Sequence, residues 1–308
     1  MTGKVDQAAS LRRAPSSSPA TLPQSRKALC CMAIASGKGG VGKTFLCANL
    51  AVAFALLNKK VLVIDADLGL ANADLMLGVS PKLSLQDAIF KGRKLEEVVV
   101  HSPYGVDLLA ASSGAREMVS MGDARISMLV NDLLSFAADY DVLIFDCAAG
   151  IDNNVTLFIA AVPLTIVVAA PHPASIMDAY ALTKVIHQEN LCRHICLVVN
   201  MAESDAEGER VRDILKQVSE SYLSKSIDLL GIIPSSRKAR KAIQSRKPLL
   251  VVDPDDDAAR RIRDIAKTIL QKRSADVKMS DFNAQNIVGG LVGTQVGAEQ
   301  EPKQEQAS

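Results

Sequence analysis

Apolar residues fall along this 308-residue chain in two alternating patterns. Short continuous runs, such as Ala28-Leu29-Cys30-Cys31-Met32-Ala33-Ile34-Ala35 and Val61-Leu62-Val63-Ile64, read as strands buried on both faces. Between them lie longer stretches with apolar positions three and four apart. Thr44 to Leu57 is one such stretch; it contains no Pro or Gly and ends at Asn58, a residue suited to a C-terminal cap. The pattern predicts strands at 29–35, 61–65, 106–110, 141–146, 164–169, 194–200 and 227–233. It predicts helices at 44–57, 84–90, 122–138, 152–160, 174–190, 207–222, 236–244 and 256–272. Alternation of this kind argues for an α/β fold: a three-layer, doubly wound, mostly parallel sheet with helices on both faces. Ligands of such folds bind at the carboxyl ends of the strands.

The periodicity also sets the domain plan. Residues 1–27 form a polar tail whose second half, Ala14 to Pro23, is Pro/Ser-rich and reads as a flexible linker. Residues 28–273 form the domain, and 274–308 lose periodicity, end in Glu, Gln and Lys, and are expected to be disordered. There are no internal repeats. Hydrophobic residues make up 48% of the chain, enough for a substantial core. Lys+Arg 35 against Asp+Glu 34 leaves a net charge of +1, so no bulk attraction to nucleic acid or anionic lipid is expected, although a local basic patch remains open. The N-terminus lacks the apolar core of a secretory signal, and several of the six cysteines lie in apolar runs; reduced, buried thiols in a cytoplasmic protein are expected. No stretch reaches the ~18 apolar residues of a membrane span. The nearest, Leu157 to Ala170, carries Pro163.

Within this frame one segment carries the chemistry. Gly37-Lys38-Gly39-Gly40-Val41-Gly42-Lys43-Thr44 matches G-x-x-x-x-G-K-[ST] in full, with a strand before it and a helix after it. Glycines let successive backbone N–H groups turn inward as a nest for phosphate oxygens. Lys43 reaches the β- and γ-phosphates, the Thr44 hydroxyl ligates Mg²⁺, and the following helix aims its positive dipole end at the same anion. Two apolar strands then end in acids: Asp65 and Asp67 after Val61-Leu62-Val63-Ile64, and Asp146 after Leu143-Ile144-Phe145. A buried carboxylate is costly unless paired, and Mg²⁺–ATP with Lys43 would pair these. Asp146 would hold Mg²⁺ through a water, and phosphoryl transfer to water then needs positioning and charge neutralisation.

The second lysine of the loop, Lys38, gives the form KGGVGK[ST], which resembles the deviant Walker A ATPases: ParA, MinD, the arsenite-pump and tail-anchored-protein ATPases, and nitrogenase iron protein. The resemblance implies a homodimer formed on ATP binding, with Lys38 contacting the nucleotide of the other subunit. It implies that Asp67 orients attacking water, that Asp65 sits by Mg²⁺, and that Gly150 lets the switch after Asp146 approach the γ-phosphate. It places the adenine against Asn200 and Pro234, and Phe45 beside the phosphate loop. Lys38, Lys43 and Asp67 are then the catalytic set, and ATP over GTP follows from the family alone.

Three segments narrow the resemblance: Asp65-Ala66-Asp67-Leu68-Gly69-Leu70-Ala71-Asn72, the Ala148-Ala149-Gly150-Ile151 of the second switch, and Met177 to Lys184. Together they look like the FlhG (FleN) flagellar-number regulators, with MinD a close second. Asp6-Gln7-Ala8-Ala9-Ser10-Leu11-Arg12 matches their activator helix, DQAxxLR, expected over about residues 5–13. Asp6 can cap it, Ala8, Ala9 and Leu11 give it a small apolar face, and Arg12 adds charge; Asp6, Gln7, Ala8, Leu11 and Arg12 are the expected partner-binding residues. The implied partners are the FlhF GTPase, which this helix stimulates, and flagellar switch-complex proteins or a flagellar transcription regulator. The implied location is cytoplasmic, at the cell pole or peripherally on the inner membrane. The alternative is a MinD-like division-site or ParA-like DNA-partition ATPase.

Two departures stand out. Phe45 follows Thr44, where relatives carry a polar residue. The family's basic amphipathic C-terminal helix has no good counterpart, because Asp281 to Val292 has few apolar anchors, adjacent glycines and no lysine or arginine. Membrane targeting is therefore in question, and a nucleic-acid partner is not expected. The basic run Arg237-Lys238-Ala239-Arg240-Lys241 reads as a solvated helix face or a partner surface. A bridging iron–sulfur cluster finds no convincing second ligand beside Cys147. Cys192, His194 and Cys196, with His187, read as structural residues more readily than as a metal site.

Overall fold

The structure, a computed structural model, describes residues 30–67, 72–110, 132–133, 135–223 and 227–273. The expected activator helix with Asp6, Gln7, Ala8, Leu11 and Arg12 lies outside them, as do the C-terminal tail and most of the helix expected at 122–138. Eight strands form one sheet: β1 (Cys30–Ser36), β2 (Val61–Ala66), β3 (Val100–His101), β4 (Val106–Leu109), β5 (Val142–Ala149), β6 (Leu164–Ala169), β7 (His194–Ala202) and β8 (Asp228–Pro234). Their order is β3-β4-β2-β5-β1-β6-β7-β8, parallel throughout except for the short β3, which runs antiparallel to β4. The helices are α1 (Lys43–Leu56), α2 (Ala73–Met76), α3 (Leu85–Lys91), α4 (Leu95–Val98), α5 (Asn153–Ala160), α6 (Pro173–Gln188), α7 (Asp205–Leu223), α8 (Arg237–Gln244), α9 (Leu249–Val252) and α10 (Asp257–Arg273).

Strand side chains alternate between faces, so each central strand feeds two cores. On β1, Cys31, Ala33 and Ala35 join α3 to α7 on one side. Met32 and Ile34 join α1, α2, α9 and α10 on the other. Leu143 and Phe145 of β5 face the first core, Val142 and Ile144 the second. Burial on both faces explains why these strands are apolar throughout. The chain leaves β1 for β2 on one side and later occupies β6 to β8 on the other, so winding reverses at β1. That reversal opens a crevice at the carboxyl ends of β1, β2, β5 and β6.

Long elements match the expected spans to within a few residues. The additional ones, β3, α2, α4 and α9, are two to four residues long, below the length at which periodicity registers.

Candidate functional site

The loop from Gly37 to Thr44 fills the crevice between β1 and α1. Gly40 and Gly42 have φ of 81° and 91°, and Gly42 is the residue preceding α1. No side chain caps α1 and its first turn holds no acid, so its leading N–H groups face the crevice with the helix's positive end. The Ser36 hydroxyl donates to the Lys38 carbonyl at 2.7 Å. The Gly150 N–H donates to the Ser36 carbonyl at 2.9 Å, tying the segment after β5 to the loop. Lys43 is only 9% exposed, while Lys38 stands in solvent.

Asp65 and Asp146 are register partners on β2 and β5, each 1% exposed. Asp65 accepts three backbone N–H groups: Asp67 at 3.0 Å, Asn72 at 3.2 Å and Ala73 at 3.1 Å. It therefore ties the Asp67 backbone to the residues that start α2. The Thr44 hydroxyl lies near enough to Asp146 to favour its ionised form, and Asp146 Oδ1 is buried with no hydrogen-bond partner among the described residues. Burial pushes the Asp146 carboxyl up to about 7, with the nearby Asp65 charge adding to the rise and Thr44 and Lys43 opposing it. Burial likewise raises Asp65 to about 6, with its backbone hydrogen bonds opposing. Two adjacent acids against one lysine, with an unpartnered carboxylate oxygen and a hydroxyl beside it, form an oxygen-rich donor set of the kind a hard divalent cation takes.

Beside the loop, a cavity of about 150 Å³ is lined by Phe45, Asn200, Met201, Ile233, Pro234 and Arg240, among others. An apolar cavity of that size accepts a benzene-sized ring. Asn200 Nδ2 donates to the Val41 carbonyl at 2.9 Å, joining β7 to the loop. Phe45, Asn200 and Pro234, which are far apart in sequence, thus meet at one cavity next to Thr44.

The structure brings together Gly37 to Phe45, Asp65, Asp67, Asp146, Gly150, Asn200 and Pro234 around the crevice and its side cavity. It adds residues that sequence alone did not reveal. Met201 lines the cavity from a left-handed backbone (φ 63°), which leaves no trace in an apolar-run pattern. Asp178 packs its backbone carbonyl against Gly37, where an added Cβ would lie 2.1 Å away. Arg240 was visible only as one member of a basic run. The six cysteines are free, five buried and Cys192 partly so. No cluster of three or more His, Cys, Asp or Glu side chains suited to a metal occurs among the described residues, and His187, Cys192, His194 and Cys196 form none. No described helix is long and apolar enough to cross a membrane.

A family model for ParA, described as an NUBPL iron-transfer P-loop NTPase, matches residues 28–270. The antiactivator FleN of Pseudomonas aeruginosa is 35% identical over 77% of this chain and 85% of its own length. The flagellum site-determining protein YlxH of Helicobacter pylori is 31% identical over 78% of this chain and 82% of its own. Among solved structures, the septum site-determining protein MinD of Pyrococcus horikoshii, complexed with Mg-ADP, superposes with a TM-score of 0.66 at 24% identity. The match covers 81% of this chain and all of that one, and it establishes the fold.

Proposed function

The chain belongs to the ParA/MinD family of P-loop NTPases and is an ATPase, and from that premise we propose that it is a dimerising ATP switch controlling flagellar number or placement. The observation that carries the ATP site is the buried, unpartnered Asp146 Oδ1 beside the Thr44 hydroxyl, Lys43 and Asp65. In this reading the N–H groups of Gly39 to Thr44 cradle the phosphates, and Lys43 neutralises the β- and γ-oxygens. Thr44, Asp65 and Asp146 would hold Mg²⁺, which when bound supplies charge neutralisation to the transferring phosphoryl group. Asp67 accepts a hydrogen bond from the attacking water and aligns it for ATP + H2O to become ADP and phosphate. Asp65 acts on Asp67 through the Asp67 N–H it holds. Phe45, Asn200 and Pro234 frame the base cavity. Lys38, exposed at the crevice mouth, reaches the nucleotide of a second subunit.

The flagellar output is supported by FleN and YlxH among the relatives and by the segment Asp6 to Arg12. That segment would fold on an FlhF-type GTPase and stimulate it, with flagellar switch-complex proteins or a transcription regulator as further partners. The test is GTP hydrolysis by FlhF from the same organism, with the full chain and with residues 1–20 removed. Stimulation by the full chain alone, with ATP turnover equal in both, supports the reading. No stimulation by the full chain would favour a MinD-like or ParA-like output from the same engine.

A further inference from the structure

The strap that follows β8 carries a charge asymmetry that the nucleotide site does not use. From Arg237 to Val252 the chain has six lysines and arginines and no acid. Two helices fix them at the surface. Ala242 of α8 is fully buried, so helical spacing puts Arg237, Arg240, Lys241 and Gln244 on the opposite, exposed stripe. The Ser236 hydroxyl anchors the start of α8, accepting from the Lys238 and Ala239 N–H groups at 3.1 Å each. Beyond its end, Arg246 holds a left-handed backbone (φ 54°), a position where glycine is the ordinary residue. α9 is pinned to α1, because the Leu250 N–H donates to Asn49 Oδ1 at 3.1 Å. Leu249 and Leu250 are buried there, and Val251 and Val252 face outward, 45% and 46% exposed; Ile243 of α8 is 41% exposed.

The charges are not balanced locally. The acids that follow the strap have partners of their own. Asp253 holds Lys238 at 2.7 Å, Asp256 accepts from the Ser236 hydroxyl at 2.9 Å, and Asp257 pairs with Arg260 at 3.2 Å. Arg237, Arg240, Lys241, Arg246 and Lys247 have no side-chain partner among the described residues. Against these five cations stands the exposed Asp255.

We propose that the α8–α9 strap is a docking surface for an anionic lipid bilayer: the free cations meet headgroup phosphates, and Ile243, Val251 and Val252 enter the boundary between headgroups and acyl chains. A cluster of about four to eight lysines and arginines holds a surface against an anionic leaflet, and the long side chains keep their charges in water while apolar neighbours insert. A nucleic-acid duplex would satisfy the cations but offers nothing to three exposed aliphatic side chains, since such interfaces are polar. With a net charge of +1 the chain has no bulk attraction to lipid, so binding is confined to this patch. The inference is independent of the nucleotide reading and uses no residue beyond 273.

The test is co-sedimentation of the full chain with vesicles of phosphatidylcholine alone and of equimolar phosphatidylcholine and phosphatidylglycerol. Binding is expected to the mixed vesicles only, and to fall as salt rises. Lys241→Ala/Arg246→Ala/Lys247→Ala weakens it roughly 100-fold, about 5-fold per charge. Val251→Ser/Val252→Ser weakens it roughly 10-fold, which a purely electrostatic contact would not do. Both variants keep the parent's ATP turnover; should the triple variant unfold, the valine pair still decides. Equal binding to both vesicle types, or binding to mixed vesicles untouched by both variants, would overturn the proposal. So would retention of duplex DNA without vesicle binding, which would make the strap a nucleic-acid surface.

Discussion

At the scale of single residues, the decisive feature is two carboxyls on neighbouring strands, each held above its ordinary range by burial. The folded chain binds their protons more tightly than the unfolded chain does. Their contribution to stability is therefore fully present below the ordinary carboxylate pKa and is lost as pH rises through about 7. Asp146→Asn keeps the shape and removes one titration. We expect the metal-free variant to gain on the parent chain from about pH 5 to about pH 8, by on the order of 3 kcal/mol, in urea unfolding. Mg-ATP reverses the ranking, because only the parent keeps the full donor set. A pH-independent difference between the two would contradict this account. The sequence made Asp146 legible as an acid ending an apolar strand. It did not reveal that one oxygen is left without a partner among the described residues, nor that Asp65 holds the backbone of Asp67, Asn72 and Ala73, since both depend on how the chain folds around the strand ends.

Among the elements, the site depends on three ties between segments far apart in the chain. Gly37 leaves room for the Asp178 carbonyl on α6. Gly37→Ala must push α6 away from the loop and is expected to cost about 1–3 kcal/mol and to weaken nucleotide binding; calorimetric unfolding and ATP titration check both. Asn200 staples β7 to the loop through the Val41 carbonyl. Asn200→Ala strands that carbonyl and should cost about 1–3 kcal/mol, while also lowering ATP affinity more than tripolyphosphate affinity. Gly42, left-handed at φ 91°, sits where an added Cβ would lie 2.3 Å from Asn200 Nδ2, so the loop and its staple require each other. The eight-residue loop and its flanking strand and helix are legible because length, glycines and periodicity agree. The ties are not, because close approach between Gly37 and Asp178 is a property of packing. Similarly, the run at 237–241 reads as a charged surface, and only the folded helix turns Arg240 into the cavity.

For the whole molecule, the parallel pattern predicts the layers, and the reversal of winding at β1 places every candidate site residue of the domain at one end of the sheet. Strand order itself is not written in any local segment. With buried strands feeding both cores, the site end is where polar groups concentrate, and it leaves Lys38, Ile151 and Met177 exposed around the crevice. A face that combines a solvated lysine with exposed apolar side chains suits a second copy of the chain, as the proposed dimer, in which Lys38 would complete the neighbouring site, requires. The direct measurement is ATP turnover per subunit as a function of protein concentration, for the parent chain and Lys38→Ala, with ATP binding measured alongside. The account predicts turnover that rises with concentration in the parent and stays near background in Lys38→Ala, which still binds ATP. Turnover independent of concentration, and equal in the two proteins, would contradict it.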